Sequence, residues 1–348
     1  MLPDAMFAAV LYRPGDLRYE EVPTPRPQPG QVVVRVAAAG HCGSDLPRIM
    51  TTGTHTFPTI PGHELCGRVA ETGAGVDVSW TGRRAALIPL IPCGRCAYCA
   101  AGMAHLCLSA GYLGSRTNGG YAQYVAAPAS NLVPLPDDLD DDEGAALEPI
   151  AVSLHALRRA GGIVPGGDVV VLGAGPIGAF IVQWAKALGA GPVLVADIDA
   201  AKLDVARALG ADVVLDPERD DLVGAVQDFS GGLGAELVVE ASGSRAAQRR
   251  TADLSRKHGR VVFVGISHEE IRISDELIFR KELALFGSFN STFGIPGSDW
   301  ETALAFVSAR RVTVKPLITH RLPLCDAPAV YRAMHEGRFP HHKVIFIP

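Results

Sequence analysis

The sequence predicts an α/β protein in which a doubly wound parallel sheet is inserted between the two parts of a β-rich domain. From Asp168 onward, short apolar runs alternate with stretches of helical period, the pattern of strands joined by crossover helices. Before about Gly120 the apolar runs are short and punctuated by Pro29-Gly30, Pro61-Gly62 and Thr81-Gly82, which reads as strands with tight loops. After Asn290 the chain reverts to that style and ends in the strand-like KVIFIP, so the tail is expected to rejoin the first domain. The expected parts are residues 1–153, 154–291 and 292–348.

Length and composition agree with two ordinary domains: 348 residues, 48% hydrophobic and 20% charged. The net charge of −5 gives no basic field for nucleic acid or an anionic membrane. The start, MLPDAMFAAVLYRPGD, has no basic segment followed by an apolar run, so no signal peptide is expected. The most apolar segment, Asp168 to Leu188, is broken by Gly173, Gly175, Pro176 and Gly178 and suits a buried strand–turn–helix rather than a membrane span. A cytoplasmic protein with no membrane or nucleic-acid partner is expected.

In the first domain, Gln31 to Ala38, Leu65 to Ala70 and Ala85 to Leu90 read as strands. Next comes a lobe, about residues 91–108, with Cys93, Cys96, Cys99 and Cys107 spaced C-x2-C-x2-C-x7-C. Core cysteines or two disulfides are the other readings, but four thiolates so spaced suit one closed tetrahedral Zn²⁺ site. Such a metal has no open position; it holds a loop and leaves chemistry to another site. The acidic run from Asp137 to Glu143 reads as a solvated helix entry. In the inserted domain, Ile177, Phe180, Ile181, Trp184 and Leu188 fall on one helical stripe.

VVVLGAGPIG places Gly173, Gly175 and Gly178 as G-x-G-x-x-G between an apolar strand and a helix, with Asp197 ending the next strand. That context identifies a dinucleotide-binding Rossmann turn. Pro176 and Ile177 belong to it, and Val264 and Gly265, closing the strand GRVVFVG, are assigned to the same cofactor site. A carboxylate at Asp197 accepts from ribose hydroxyls and repels a 2′-phosphate, and Ile198 and Asp199 offer no cation, so NAD is expected rather than NADP. Asp199 is expected to cap the following helix.

Two further motifs stand out in the first domain, HCGSD from His41 and PGHELCG from Pro61, with Glu148 in LEPIAVSLHA as a third candidate. A cysteine, a histidine and a carboxylate can hold Zn²⁺ with one position open. With CGSD, PGHE, the cysteine lobe, GGYAQY, LEPIAV and GAGPIG in that order, the chain resembles the zinc-dependent medium-chain dehydrogenases over essentially its whole length, and most of all their polyol branch. The resemblance implies a GroES-like catalytic domain around the Rossmann domain, two Zn²⁺ per chain, NAD, and a polyol or polyol-phosphate substrate. It places the catalytic zinc on Cys42, His63 and Glu148, with Glu64 as a direct, transient or outer ligand. Asp45 would orient His63 and Ser44 would hydrogen-bond the substrate hydroxyl. Zinc would polarise that oxygen so that its carbon gives up hydride. Pro47 replaces a histidine that passes the proton outward in many relatives, leaving water, Glu148 or the cofactor ribose for that step. A homodimer or homotetramer is implied.

Other residues read more plainly. Cys66 and Cys325 are expected to be apolar packing, His155 likewise, and His341 and His342 surface residues. Arg116 suits either an anionic substrate or a solvated loop, and Arg280 with Lys281 a polar pair between strands or at a domain edge. Clustered cysteines also build zinc ribbons that bind nucleic acid, but the acidic balance and lack of a basic aromatic face oppose that reading.

Overall fold

Val169–Leu172, Val193–Ala196 and Ala235–Glu240 are buried along their whole lengths, which explains their unbroken apolar runs. They belong to a six-stranded sheet in the computed structural model, which describes every residue except His268, Glu269 and Ile271. Across the sheet the order is Val213–Leu215, Val193–Ala196, Val169–Leu172, Ala235–Glu240, Ser255–Phe263, Ala284–Gly287. All five pairings are parallel. The first strand in sequence is therefore central, and the winding reverses beside it, where doubly wound sheets bind their ligands. Helix Pro176–Ala187 buries Phe180, Ile181 and Trp184 completely. The stripe is narrower than its periodicity suggested: Ile177 is half-buried, and Leu188 lies past the helix end as its C-cap and is 36% exposed. Asp199 caps helix Ala200–Ala208, accepting from the N–H groups of Ala201 and Lys202.

The chain divides into two compact units, Met1–Glu148 with Thr292–Ser308 and Thr313–Pro348, and Pro149–Ser291 with Ala309–Val312. The first carries a seven-stranded sheet centred on Gln31–Gly40. Glu64–Thr72 and Tyr124–Pro128 pair with that strand antiparallel, and so does the C-terminal Lys343–Ile347, through Ile345↔Gly40 and Phe346↔Ala39. Val34, Leu65, Leu87, Tyr121, Tyr331 and Phe346 pack in its core. The doubly wound sheet is thus an insertion in a β-rich fold.

The acidic run is more than a solvated entry. Asp140 and Glu143 form a capping box on helix Asp141–Ala145, and Glu143 is buried. Asp140, Asp141 and Asp142 pair with Lys315, Arg84 and Arg321 at 3.0, 2.7 and 3.2 Å. Three cations from distant sequence are what the local charge pattern did not reveal. No helix among the described residues is long and apolar enough to cross a membrane.

Candidate active site and metal centres

The ligand atoms of Cys93, Cys96, Cys99 and Cys107 all lie within 4.8 Å of one another. Cys96 Sγ is 3.5 Å from Cys99 Sγ and 3.9 Å from Cys107 Sγ. Tetrahedral Zn–S bonds of about 2.3 Å place sulfurs about 3.8 Å apart, whereas a disulfide needs about 2 Å. All seven cysteines are free. Backbone N–H groups of Leu108 and Cys99 lower the Cys96 pKa to about 6, preparing a thiolate. The donors fit a zinc ion that stiffens the lobe.

A second cluster joins Cys42, His63 and Glu64, whose ligand atoms also lie within 4.8 Å of one another. Cys42 follows the end of strand Gln31–Gly40, while His63 directly precedes strand Glu64–Thr72. The two strands pair in register at Gly40↔Glu64, and that pairing brings the two motifs together. His63 Nδ1 faces Asp45 Oδ1 at 3.2 Å, near enough for charge but off line for a hydrogen bond, which leaves Nε2 to a metal. Burial opposes a charged His63, but Asp45, Tyr112 and Cys42 outweigh it and hold its pKa well above the ordinary value. A half-buried thiol converges with a buried imidazole and a buried carboxylate, a donor set that fits a catalytic zinc ion. Ser44 Oγ donates to Cys42 Sγ at 3.3 Å, so its hydroxyl lies beside a ligand atom.

Glu148, expected as third ligand, is not in that trio. It sits in the first turn of helix Leu147–Arg159, buried, where its Oε1 accepts from Tyr112 Oη at 3.5 Å. Burial raises its pKa to about 7, against the pull of His63. The Tyr112 ring lies 5.6 Å from the His63 ring, so Glu148 and the trio share one neighbour. Glu64 is instead held by Lys343, a fully buried lysine on the C-terminal strand that also donates to the His41 carbonyl at 2.9 Å. Burial pushes the Glu64 carboxyl up, while Lys343 and His63 pull it back.

A buried polar chain extends from Asp45. Tyr121 Oη donates to Asp45 Oδ2 at 3.4 Å and lies 2.7 Å from Tyr331 Oη, which in turn lies 2.9 Å from His41 Nδ1. Burial keeps His41 neutral, with a pKa near 3 despite Asp45, and Asp45 is held at about 2 because His63 and Arg48 outweigh its own burial. Sequence reading missed Tyr112, Tyr121, Tyr331 and Lys343. Two signals were available: Tyr121 lies in the motif GGYAQY, and a lysine opens the apolar strand VIFIP.

In the other unit, Gly173 takes φ +101° at the end of strand Val169–Leu172, and a Cβ there would meet Ser242 N at 2.8 Å. A Cβ on Gly178 would lie 1.9 Å from the Gly173 carbonyl oxygen, so only glycine lets the helix approach the strand. Gly175 has nothing within 4 Å of its added Cβ, leaving open backbone at the N-cap of helix Pro176–Ala187. Asp197 accepts from Ala174 N at 2.6 Å and Asp199 N at 2.9 Å, which places its carboxylate against this turn. Val264 and Gly265 both donate to the Glu240 carbonyl, at the same end of the neighbouring strands.

Two expectations are corrected. Cys325 is exposed, on the short turn before helix Ala327–His335, whereas Cys66 is buried with its Sγ on the Asp141 carbonyl. His342 is buried and His341 half-buried, the latter with its ring 5.4 Å from His41, because the C-terminal strand enters the core sheet at this point. His155 is buried. Arg280 pairs with Glu276, while Lys281 donates to the carbonyls of Ala252, Asp253 and Ser255 at the end of a helix.

A zinc-binding dehydrogenase family model matches residues 176–309, and an alcohol dehydrogenase GroES-like domain model matches residues 28–137. Galactitol 1-phosphate 5-dehydrogenase of Escherichia coli (strain K12) is 34% identical over 328 residues, covering 91% of this chain and 92% of that protein. A sorbitol dehydrogenase of Halalkalibacterium halodurans is also 34% identical, over 327 residues, covering 93% and 94%. Among solved structures, galactitol-1-phosphate dehydrogenase from Escherichia coli has a TM-score of 0.91 at 33% identity, over 99% of this chain and 100% of that one. A zinc-binding dehydrogenase from Sinorhizobium meliloti 1021 bound to NADP has a TM-score of 0.91 at 32% identity, over the same shares. The two metal-donor clusters and the glycine-rich turn thus stand in a chain that belongs to the zinc-dependent medium-chain polyol and alcohol dehydrogenases.

Proposed function

We propose that this chain is an NAD-dependent polyol or polyol-phosphate dehydrogenase, with galactitol 1-phosphate oxidised to tagatose 6-phosphate as the leading substrate pair. The observation that carries the reading is the convergence of half-buried Cys42 with buried His63 and Glu64 in a chain that also has an open glycine-rich turn. A secondary alcohol loses hydride from carbon to NAD⁺ and a proton from oxygen, giving ketone, NADH and H⁺. Zinc, when bound, supplies Lewis acidity at the alcohol oxygen. Cys42 and His63 would hold the metal with a carboxylate from Glu64 or Glu148, and the charge of Asp45 at 3.2 Å from Nδ1 would favour the His63 orientation that turns Nε2 to it. Ser44 positions the substrate hydroxyl. Gly173, Gly175, Pro176, Ile177 and Gly178 take the pyrophosphate, and Val264 and Gly265 line the same strand ends.

Asp197 supports NAD over NADP, since a carboxylate against the turn repels a 2′-phosphate and Ile198 and Asp199 add no cation. A homodimer or homotetramer belongs to the same reading. The edge strand Ala284–Gly287, with Leu285, Phe279 and Phe289 exposed near it in sequence, supports it. The test is NADH absorbance on galactitol 1-phosphate, galactitol, sorbitol and threonine, with NAD and with NADP. The reading expects turnover of a polyol or its phosphate, with NAD preferred at least tenfold and Asp197→Ser narrowing that preference. Equal kcat/KM for both cofactors would remove the NAD assignment, and turnover of threonine alone would remove the polyol.

A further inference from the structure

Two arginines and a histidine lie on turns tied to the surroundings of the metal trio, and the proposed reaction gives them no task. Arg48 lies on the turn Arg48–Thr52, directly after Asp45–Pro47. Its Nη1 is buried and makes no hydrogen bond among the described residues; its one anionic neighbour is Asp45 Oδ1 at 3.8 Å, already facing His63. Arg116 sits on a turn whose N–H donates to the Tyr112 carbonyl at 2.9 Å, and the Tyr112 ring packs near His63. His55 is on the neighbouring loop, tied to that turn by Thr54 Oγ1 donating to the Ser115 carbonyl at 2.6 Å. No carboxylate pairs with Arg116 or His55 among the described residues. The His55 imidazole is harder to protonate than usual, first through burial and then through the charges of Arg116 and Arg48, which agrees with the link that Thr54 and Ser115 make between the two turns.

Resting on the polyol-dehydrogenase reading above, we propose that Arg48, Arg116 and His55 form an anion subsite that takes the phosphate of a polyol phosphate whose hydroxyl sits at the metal trio. Of the two guanidinium groups only Arg48 has a carboxylate near it, and that one already faces His63, so an arriving anion meets uncompensated positive charge. Two guanidinium forks and an imidazole N–H match the several acceptor oxygens of a phosphomonoester. A neutral polyol leaves them unmatched, so the subsite selects by charge.

The test is calorimetric binding of galactitol 1-phosphate, galactitol and L-galactonate to the zinc-loaded protein without cofactor, beside NAD-linked turnover. The proposal expects the phosphate ester to bind at least tenfold more tightly than galactitol and more tightly than the carboxylate. Arg116→Ala and Arg48→Gln should each reduce that preference about tenfold, and Arg116→Lys should restore part of it. Arg116 is an exposed loop residue, so its substitution reads the subsite without threatening the fold. Equal binding of phosphate ester and neutral polyol would overturn the proposal, as would a preference that survives Arg116→Ala with Arg48→Gln. Tighter binding of L-galactonate would overturn the phosphate assignment. Phosphate-selective binding without NADH formation would sustain the subsite and refute the dehydrogenase reading; turnover of galactitol without phosphate preference would do the reverse.

Discussion

His63 shows most clearly how single residues set the chemistry. Its ring is buried between an acid that favours its proton and two ligand atoms that need it neutral on the metal side. Zinc must displace a proton from a group whose pKa lies well above the ordinary value. Zinc affinity at this site, followed by chelator competition, is therefore expected to rise with pH through the neutral range, since protonated His63 cannot ligate; a flat profile would contradict the ligand assignment. His63→Ala and Cys42→Ser should each lower kcat/KM about 10³-fold, equivalent to about 4 kcal/mol, and halve the zinc content while the far-ultraviolet circular dichroism is unchanged. Cys42 and His63 were legible because their motifs are local. Lys343 and Tyr331 were not: they reach Glu64 and His41 across 279 and 290 positions, and only the folded sheet brings them together.

At the scale of elements, the cysteine lobe and the glycine-rich turn are both written in fixed spacings of small residues. The cysteine lobe needs its four sulfurs more than any apolar packing, since helix Ala97–Ala100 buries no residue. Cys96→Ser is expected to remove one zinc and lower Tm by roughly 10 °C, the shift that loss of about 3–5 kcal/mol gives at this domain size, and calorimetric melting checks it. An unchanged Tm would mean that the lobe does not share its metal's binding energy with the fold. The glycine-rich turn was legible for a different reason: Gly173 and Gly178 occupy places where a Cβ collides with backbone, so the motif is dictated by sterics. Strand and helix ends were less legible. Ser255–Phe263 begins five residues before the apolar run RVVF, because Ser255 also pairs with Ala235, with a break in register before Arg260 meets Leu237.

For the molecule as a whole, the insertion of one sheet within another fold was legible from a change of texture: punctuated short strands, then alternating strands and helices, then punctuation again. The return of Lys343–Ile347 to Gln31–Gly40 closes the first unit and delivers a buried lysine to Glu64. Which carboxylate completes the metal site was not legible, because Glu64 and Glu148 are both buried and both answer to His63, and their roles depend on three-dimensional partners, Lys343 and Tyr112. The most direct measurement is an anomalous difference map from crystals of the zinc-loaded protein at the zinc edge. The account predicts two peaks per chain: one enclosed by Cys93, Cys96, Cys99 and Cys107, the other bound by Cys42 and His63 together with Glu64 or Glu148. A single peak in the cysteine lobe, or a second peak away from Cys42 and His63, would contradict it.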